Sequence, residues 1–133
     1  GHLCFFEETT HTLLCGDMAA CPGFILISRD HGGDMAAYMA ILVRLLALPF
    51  KFMVPGHGLP SFSGIDGRAV LEATLEHRRD RERALGAALE AGADSEDALL
   101  EAAYTDVERS AWPLARLQLR AHLHALGRNV TSS

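Results

Sequence analysis

The stretch "MVPGHGLP" (53–60) decides how the rest of the chain is read. An apolar run at 50–54 feeds into Pro-Gly, a lone histidine and a second glycine. Proline fixes φ and glycine frees it, so this segment can turn sharply and approach a neighbouring backbone closely. Earlier in the chain, "LLCGD" (13–17) ends another apolar run in Gly-Asp. A loop and one helical pattern separate the two. Open α/β sheets hold ligands at the carboxyl ends of their strands, which makes Asp17 and His57 a candidate pair. Imidazole nitrogen and carboxylate oxygen are donors that suit zinc. Both residues also have a plainer reading. Gly-Asp is a common turn in which the Asp caps a loop, and a histidine after Pro-Gly is an ordinary surface turn residue.

Working outward, 3–7 (LCFFE) and 11–15 (HTLLC) read as the strands of a hairpin. Gly16-Asp17 closes the second strand, and 18–33, punctuated by Pro22, Gly23, Gly32 and Gly33, reads as a long loop. Asp34 caps a helix over 35–48, and Pro49 stops it. A short buried strand spans 50–54, and 61–67 is a second loop. One long helix covers 66–91, with "HRRDRER" (77–83) as a solvated face of ion pairs. Ser95 opens a short helix to Tyr104, and Pro113 starts a last one over 114–126. Strands and one helix therefore fill 1–65, and helices alone fill 66–133. The chain reads as an α/β (α+β) body with a helical appendage.

The 133 residues are 49% hydrophobic and 22% charged, a globular composition suited to one ordinary domain. A net charge of −5 opposes a mainly electrostatic nucleic-acid binder, which needs a basic face. Cys4, Cys15 and Cys21 are odd in number and lack CxxC spacing, so they form neither a disulfide framework nor a zinc ribbon. Such thiols read as small apolar core residues in a reducing cytoplasm. The apolar run at 39–50 is broken by Arg44 and is too short to span a bilayer, so no membrane partner is expected. "GHLCFF" opens straight into a strand without a Met, which points to a processed N-terminus or a start inside a larger protein. Of the other histidines, His11 reads as an exposed strand residue, His31 as a loop residue able to line a pocket, and His77 as one among charges. His122 and His124 flank leucines as structural residues of the last helix.

Taken in order, "GH" (1–2), the hairpin, "GD" (16–17), "GGDMAAYMAILVRLLAL" (32–48) and "VPGHG" (54–58) resemble the C-terminal half of a metallo-β-lactamase-fold hydrolase. The following "HRRDRERALGAALEAG" (77–92) and the two later helices resemble the small winged-helix-like C-terminal domain of one branch, the β-lactamase-like protein 2 type. The resemblance implies an αββα sandwich holding two metal ions, usually zinc. It implies residues 1–65 as the C-terminal part of that sandwich and 66–133 as the winged-helix-like domain. Asp17 matches the Asp that bridges the metals, and His57 matches the last His of the second site. His2 falls beside the site as a neighbour, not a ligand. Phe24, Ile25 and His31 become candidates to line a substrate pocket.

The implied chemistry is metal-assisted hydrolysis, in which paired metals about 3.5–4 Å apart lower the pKa of a bridging water to about 7. On that reading Asp17→Ala costs more than His57→Ala, because it touches both ions. The implied substrates are small esters, thioesters or lactams, with RNA as a further class. The family's H-x-H-x-D-H motif does not occur in this sequence. The chain is therefore expected to be a fragment of a zinc-dependent hydrolase, inactive alone, whose partner is the missing N-terminal half of the same domain. A half-sandwich exposes an apolar sheet face, so self-association is also expected. The alternatives are part of a metal-dependent endoribonuclease, or a non-catalytic helical module that binds nucleic acid or a partner.

Overall fold

A computed structural model describes residues 3–61 and 64–130. His2, a candidate neighbour of the site, lies outside the described residues. The elements run β1 (Phe5–Glu7), β2 (Thr12–Cys21), α1 (Met35–Leu46), β3 (Phe52–Gly58), α2 (Gly67–Glu90), α3 (Glu96–Ala103) and α4 (Trp112–Ala125). Single 3-10 turns lie at Arg29–His31 and Arg109–Ala111. The chain forms two compact units. One comprises Gly1–Ile25 with Tyr38–Glu76, and the other Leu26–Ala37 with His77–Ser133. The division falls within α2, and the segment 26–37 groups with the later helices.

The first unit carries a three-stranded sheet in the order β1-β2-β3. β1 and β2 form an antiparallel hairpin in which Phe5 faces Leu14 and Glu7 faces Thr12. At the turn, the Glu7 carboxylate accepts the Thr9 and Thr10 N–H groups and the Thr10 hydroxyl. Those bonds lower its pKa to about 2. His11 sits in this turn with φ of 54°, and its ring lies 3.1 Å from the Pro49 carbonyl, so it is a turn residue and not a strand residue. β3 pairs parallel to β2, with α1 in the crossover. Side chains alternate along each strand. Leu13, Cys15 and Met53 are fully buried on one face, and α1 buries Tyr38, Leu42 and Leu45. Arg68 at the start of α2 donates to the Leu46 and Leu48 carbonyls, which satisfies the end of α1.

Two strand boundaries differ from the sequence reading. β2 does not stop at Gly16-Asp17 but runs on to Cys21, and β3 includes the whole of PGHG. The reason is tertiary. Ala20 pairs with His57 and Cys21 with Gly58, while Met18 and Ala19 are buried. The loop after β2 is correspondingly shorter and contains the Arg29–His31 turn.

The second unit has a core of Leu85, Leu99, Leu100, Leu119 and Leu123 with Tyr104. Ser95 caps α3 by accepting the Ala98 N–H, and Pro113 lies in the first turn of α4. "HRRDRER" is not a wholly solvated face: Arg78 and Arg81 are only 2% and 7% exposed. Arg81 turns inward because its guanidinium finds the Ala103 carbonyl, both Asp106 oxygens and the face of Tyr104. His122 is fully buried, with Nδ1 3.3 Å from Glu82 Oε1.

Candidate metal centre

Asp17 and His57 meet because β2 is longer than the strand it faces. Leu14 opposes Val54 and Ala20 opposes His57, so six steps of β2 run against three of β3. The surplus is taken up as an irregularity around Gly16, whose φ is 54°. Bulges of this kind bend a strand and re-aim its side chains. Pro55, which has no N–H to give to a ladder, stands opposite Gly16 at this irregularity, a place where proline is tolerated. Asp17 is carried on this arch, and its Oδ1 lies 2.7 Å from His57 Nδ1.

The glycines around His57 have distinct tasks. A Cβ on Gly56 would stand 2.6 Å from Asp17 Oδ1 and 3.2 Å from the Gly16 carbonyl carbon, so only glycine leaves room for the carboxylate. Gly58 has φ of 91°, and a Cβ there would stand 2.3 Å from the Cys21 carbonyl oxygen. The second glycine therefore lets β3 close against the end of β2. His57 itself is largely exposed, at 77% of its side chain, and Asp17 about one-third exposed. The pair sits at an open edge where a ligand can approach.

A carboxylate that accepts from Nδ1–H orients the ring and leaves Nε2 as the lone-pair nitrogen, an arrangement common in metal-binding histidines. Among the described residues no group of three or more His, Cys, Asp or Glu is placed to hold a metal. Zinc takes three or four protein groups. Asp17 and His57 alone fall short of that number.

The other candidates lie on other segments of the chain. Phe24 is exposed and Ile25 half-buried in the segment after β2. His31 belongs to the second unit, is exposed, and lies 3.4 Å from the Ser28 hydroxyl through Nδ1. Two of the thiols are made poorer nucleophiles by burial, which pushes Cys15 up to about 11 and raises Cys4. No helix is long and apolar enough to cross a membrane among the described residues. One residue next to the pair was not singled out from the sequence. Tyr38 on α1 donates from its hydroxyl to the Met18 carbonyl at 2.8 Å, immediately after Asp17. Its sequence signal is that it is the one aromatic residue of α1.

No known family profile matches the sequence, and no curated protein does. A solved structure, a metallo-β-lactamase family protein from Thermus thermophilus, is similar over 96% of this chain with a TM-score of 0.66. The fold is of the metallo-β-lactamase type. Sequence identity to that protein is 23%, and this chain spans 40% of its length. The small sheet and four helices thus correspond to part of a metallo-β-lactamase-type fold.

Proposed function

We propose that this chain contributes two metal donors, Asp17 and His57, to the centre of a zinc-dependent hydrolase of the metallo-β-lactamase superfamily. The observation that carries this reading is the 2.7 Å contact between the two side chains, on a bulge of β2 and the Gly-His-Gly end of β3 that bring them together. The remaining donors come from outside this sequence, and the chain alone is inactive. When bound, paired zinc ions would supply an activated water at neutral pH. In this chain Asp17 holds the imidazole in one orientation and Gly56 keeps the space between them clear.

The uncovered face of the sheet supports the same reading. Phe5, Leu14 and Phe52 share one face by register and are 58%, 43% and 41% exposed. The neighbour of the same fold extends well beyond the 40% of its length that this chain spans. A second sheet packing face to face would cover these side chains, as in sandwiches generally. The helical unit is read as winged-helix-like. A nucleic-acid role for it has less support, because Arg81, Arg83, Arg109, Arg116 and Arg120 each already reach a carboxylate.

Two experiments test this. A polypeptide in which a complementary metallo-β-lactamase sheet carrying H-x-H-x-D-H precedes these residues should hydrolyse an ester, thioester or lactam in a chelator-sensitive way. It should lose that activity in both Asp17→Ala and His57→Ala. Full activity in either variant removes the proposal. The 133-residue chain by itself should self-associate in light scattering, and Phe5→Lys with Leu14→Lys should shift it toward monomer. A clean monomer without the substitutions would show that the apolar face needs no cover.

A further inference from the structure

We propose that Tyr38 is a positioning residue for the Asp17–His57 pair, acting through the backbone of the β2 bulge. The inference rests on reading that pair as the functional site. Where six steps of β2 run against three of β3, the ladder cannot satisfy every backbone group of the longer strand. Buried backbone carbonyls left without a partner are costly. Met18 is buried in this stretch, and its carbonyl accepts the Tyr38 hydroxyl at 2.8 Å. Tyr38 is itself buried on α1, the helix that joins β2 to β3. The hydroxyl therefore ties the crossover helix to the Met18–Ala19 peptide, one residue beyond Asp17. A displacement of that peptide shifts Met18 and, through it, the adjoining Asp17, whose carboxylate must stay 2.7 Å from His57 Nδ1. A phenylalanine in this place would fill the same volume but would not fix the arch.

A purely structural tyrosine would contribute to stability without influencing the imidazole. The two roles separate in the histidine tautomer. With Asp17 accepting from Nδ1–H, His57 is held in the tautomer whose Nε2 bears the lone pair. Long-range 1H–15N spectra of the protein at about pH 8.5, well above the ordinary histidine range, should show that tautomer in the unsubstituted chain. In Tyr38→Phe the His57 signals should move toward the opposite tautomer. Amide exchange at Met18, Ala19 and Ala20 should quicken roughly fivefold to tenfold, the scale of one hydrogen bond. A folded Tyr38→Phe protein with unchanged His57 signals overturns the proposal, even if its melting temperature falls.

A second measurement does not depend on the variant folding. In the unsubstituted protein the Tyr38 hydroxyl proton should exchange slowly and show an Overhauser contact to Met18. Its absence also overturns the proposal. Neither readout involves metal, so failure of the hydrolase reading would leave these results standing, and their failure would leave the hydrolase reading untouched.

Discussion

Gly56→Ala is expected to separate Asp17 from His57 while leaving most of the protein folded. The added methyl would stand 2.6 Å from Asp17 Oδ1 and 3.2 Å from the Gly16 carbonyl carbon. Carboxylate is the more yielding of these neighbours, so it swings away, and the 2.7 Å bond to Nδ1 cannot survive the swing. The cost in stability is that of modest overpacking, about 1–3 kcal/mol. The cost in function is larger. Misplacing a reacting group by about 1 Å is worth about 100-fold in rate, and the same loss is expected from a complete hydrolase carrying this change. Gly58→Ala makes an instructive contrast. Its methyl meets the Cys21 backbone at 2.3 Å at a φ of 91°, so the two strands themselves must part. Histidine tautomer spectra and thermal melts distinguish the cases. Gly56→Ala should lose the pair with a small fall in melting temperature, and Gly58→Ala should show a large fall. An intact His57–Asp17 bond in Gly56→Ala would mean that the glycine is there for another reason.

The helical unit should weaken as the solution is acidified below neutral pH. His122 is fully buried, and its pKa is lowered from 6.5 to about 3, first by burial and then by the charges of Arg78, Arg81 and His77. The unfolded chain takes up a proton near pH 6.5 and the folded chain not until about pH 3. Stability is therefore complete above pH 6.5 and is lost as pH falls from there toward 3. The slope is about 1.4 kcal/mol per pH unit, or roughly 3 kcal/mol by about pH 4. Glu82, which faces His122 at 3.3 Å, works the other way. Burial raises its pKa, so the folded state gains a proton first and the loss is moderated at the acid end. The single tryptophan, Trp112, packs against the core of this unit, so its fluorescence follows the unfolding of these helices. Denaturant midpoints read this way should fall between about pH 7 and about pH 4, and His122→Leu should flatten the dependence. Parallel slopes in the two proteins would place the acid sensitivity elsewhere.

Much of this was legible in the sequence, for identifiable reasons. Ser95, Pro113, Asp34 and the stop at Gly92 act locally, so the helices they bound could be read directly from the residues. Asp17 and His57 could be picked out because glycine and proline mark backbone that must turn or approach closely. What could not be read depends on partners far away in the chain. "MAAC" (18–21) is too small and featureless to declare itself a strand, and it becomes one only because β3 lies beside it. The inward turn of Arg81 depends on Asp106 and the Ala103 carbonyl, more than twenty residues on. Polar periodicity alone assigns such an arginine to solvent. Tyr38 is similar: its ring could be read as core, but the bond to the Met18 carbonyl exists only once the bulge has formed.

If Asp17 and His57 act together as metal donors, a zinc titration followed by NMR shows it most directly. In the 133-residue chain, the His57 ring signals and the Asp17 carboxyl should shift together and saturably, although weakly for a two-donor set. Asp17→Ala should abolish the shift at His57, and the rings of His11, His31, His77 and His124 should move far less. A His57 ring that ignores zinc, or one that binds it equally well without Asp17, would contradict the account.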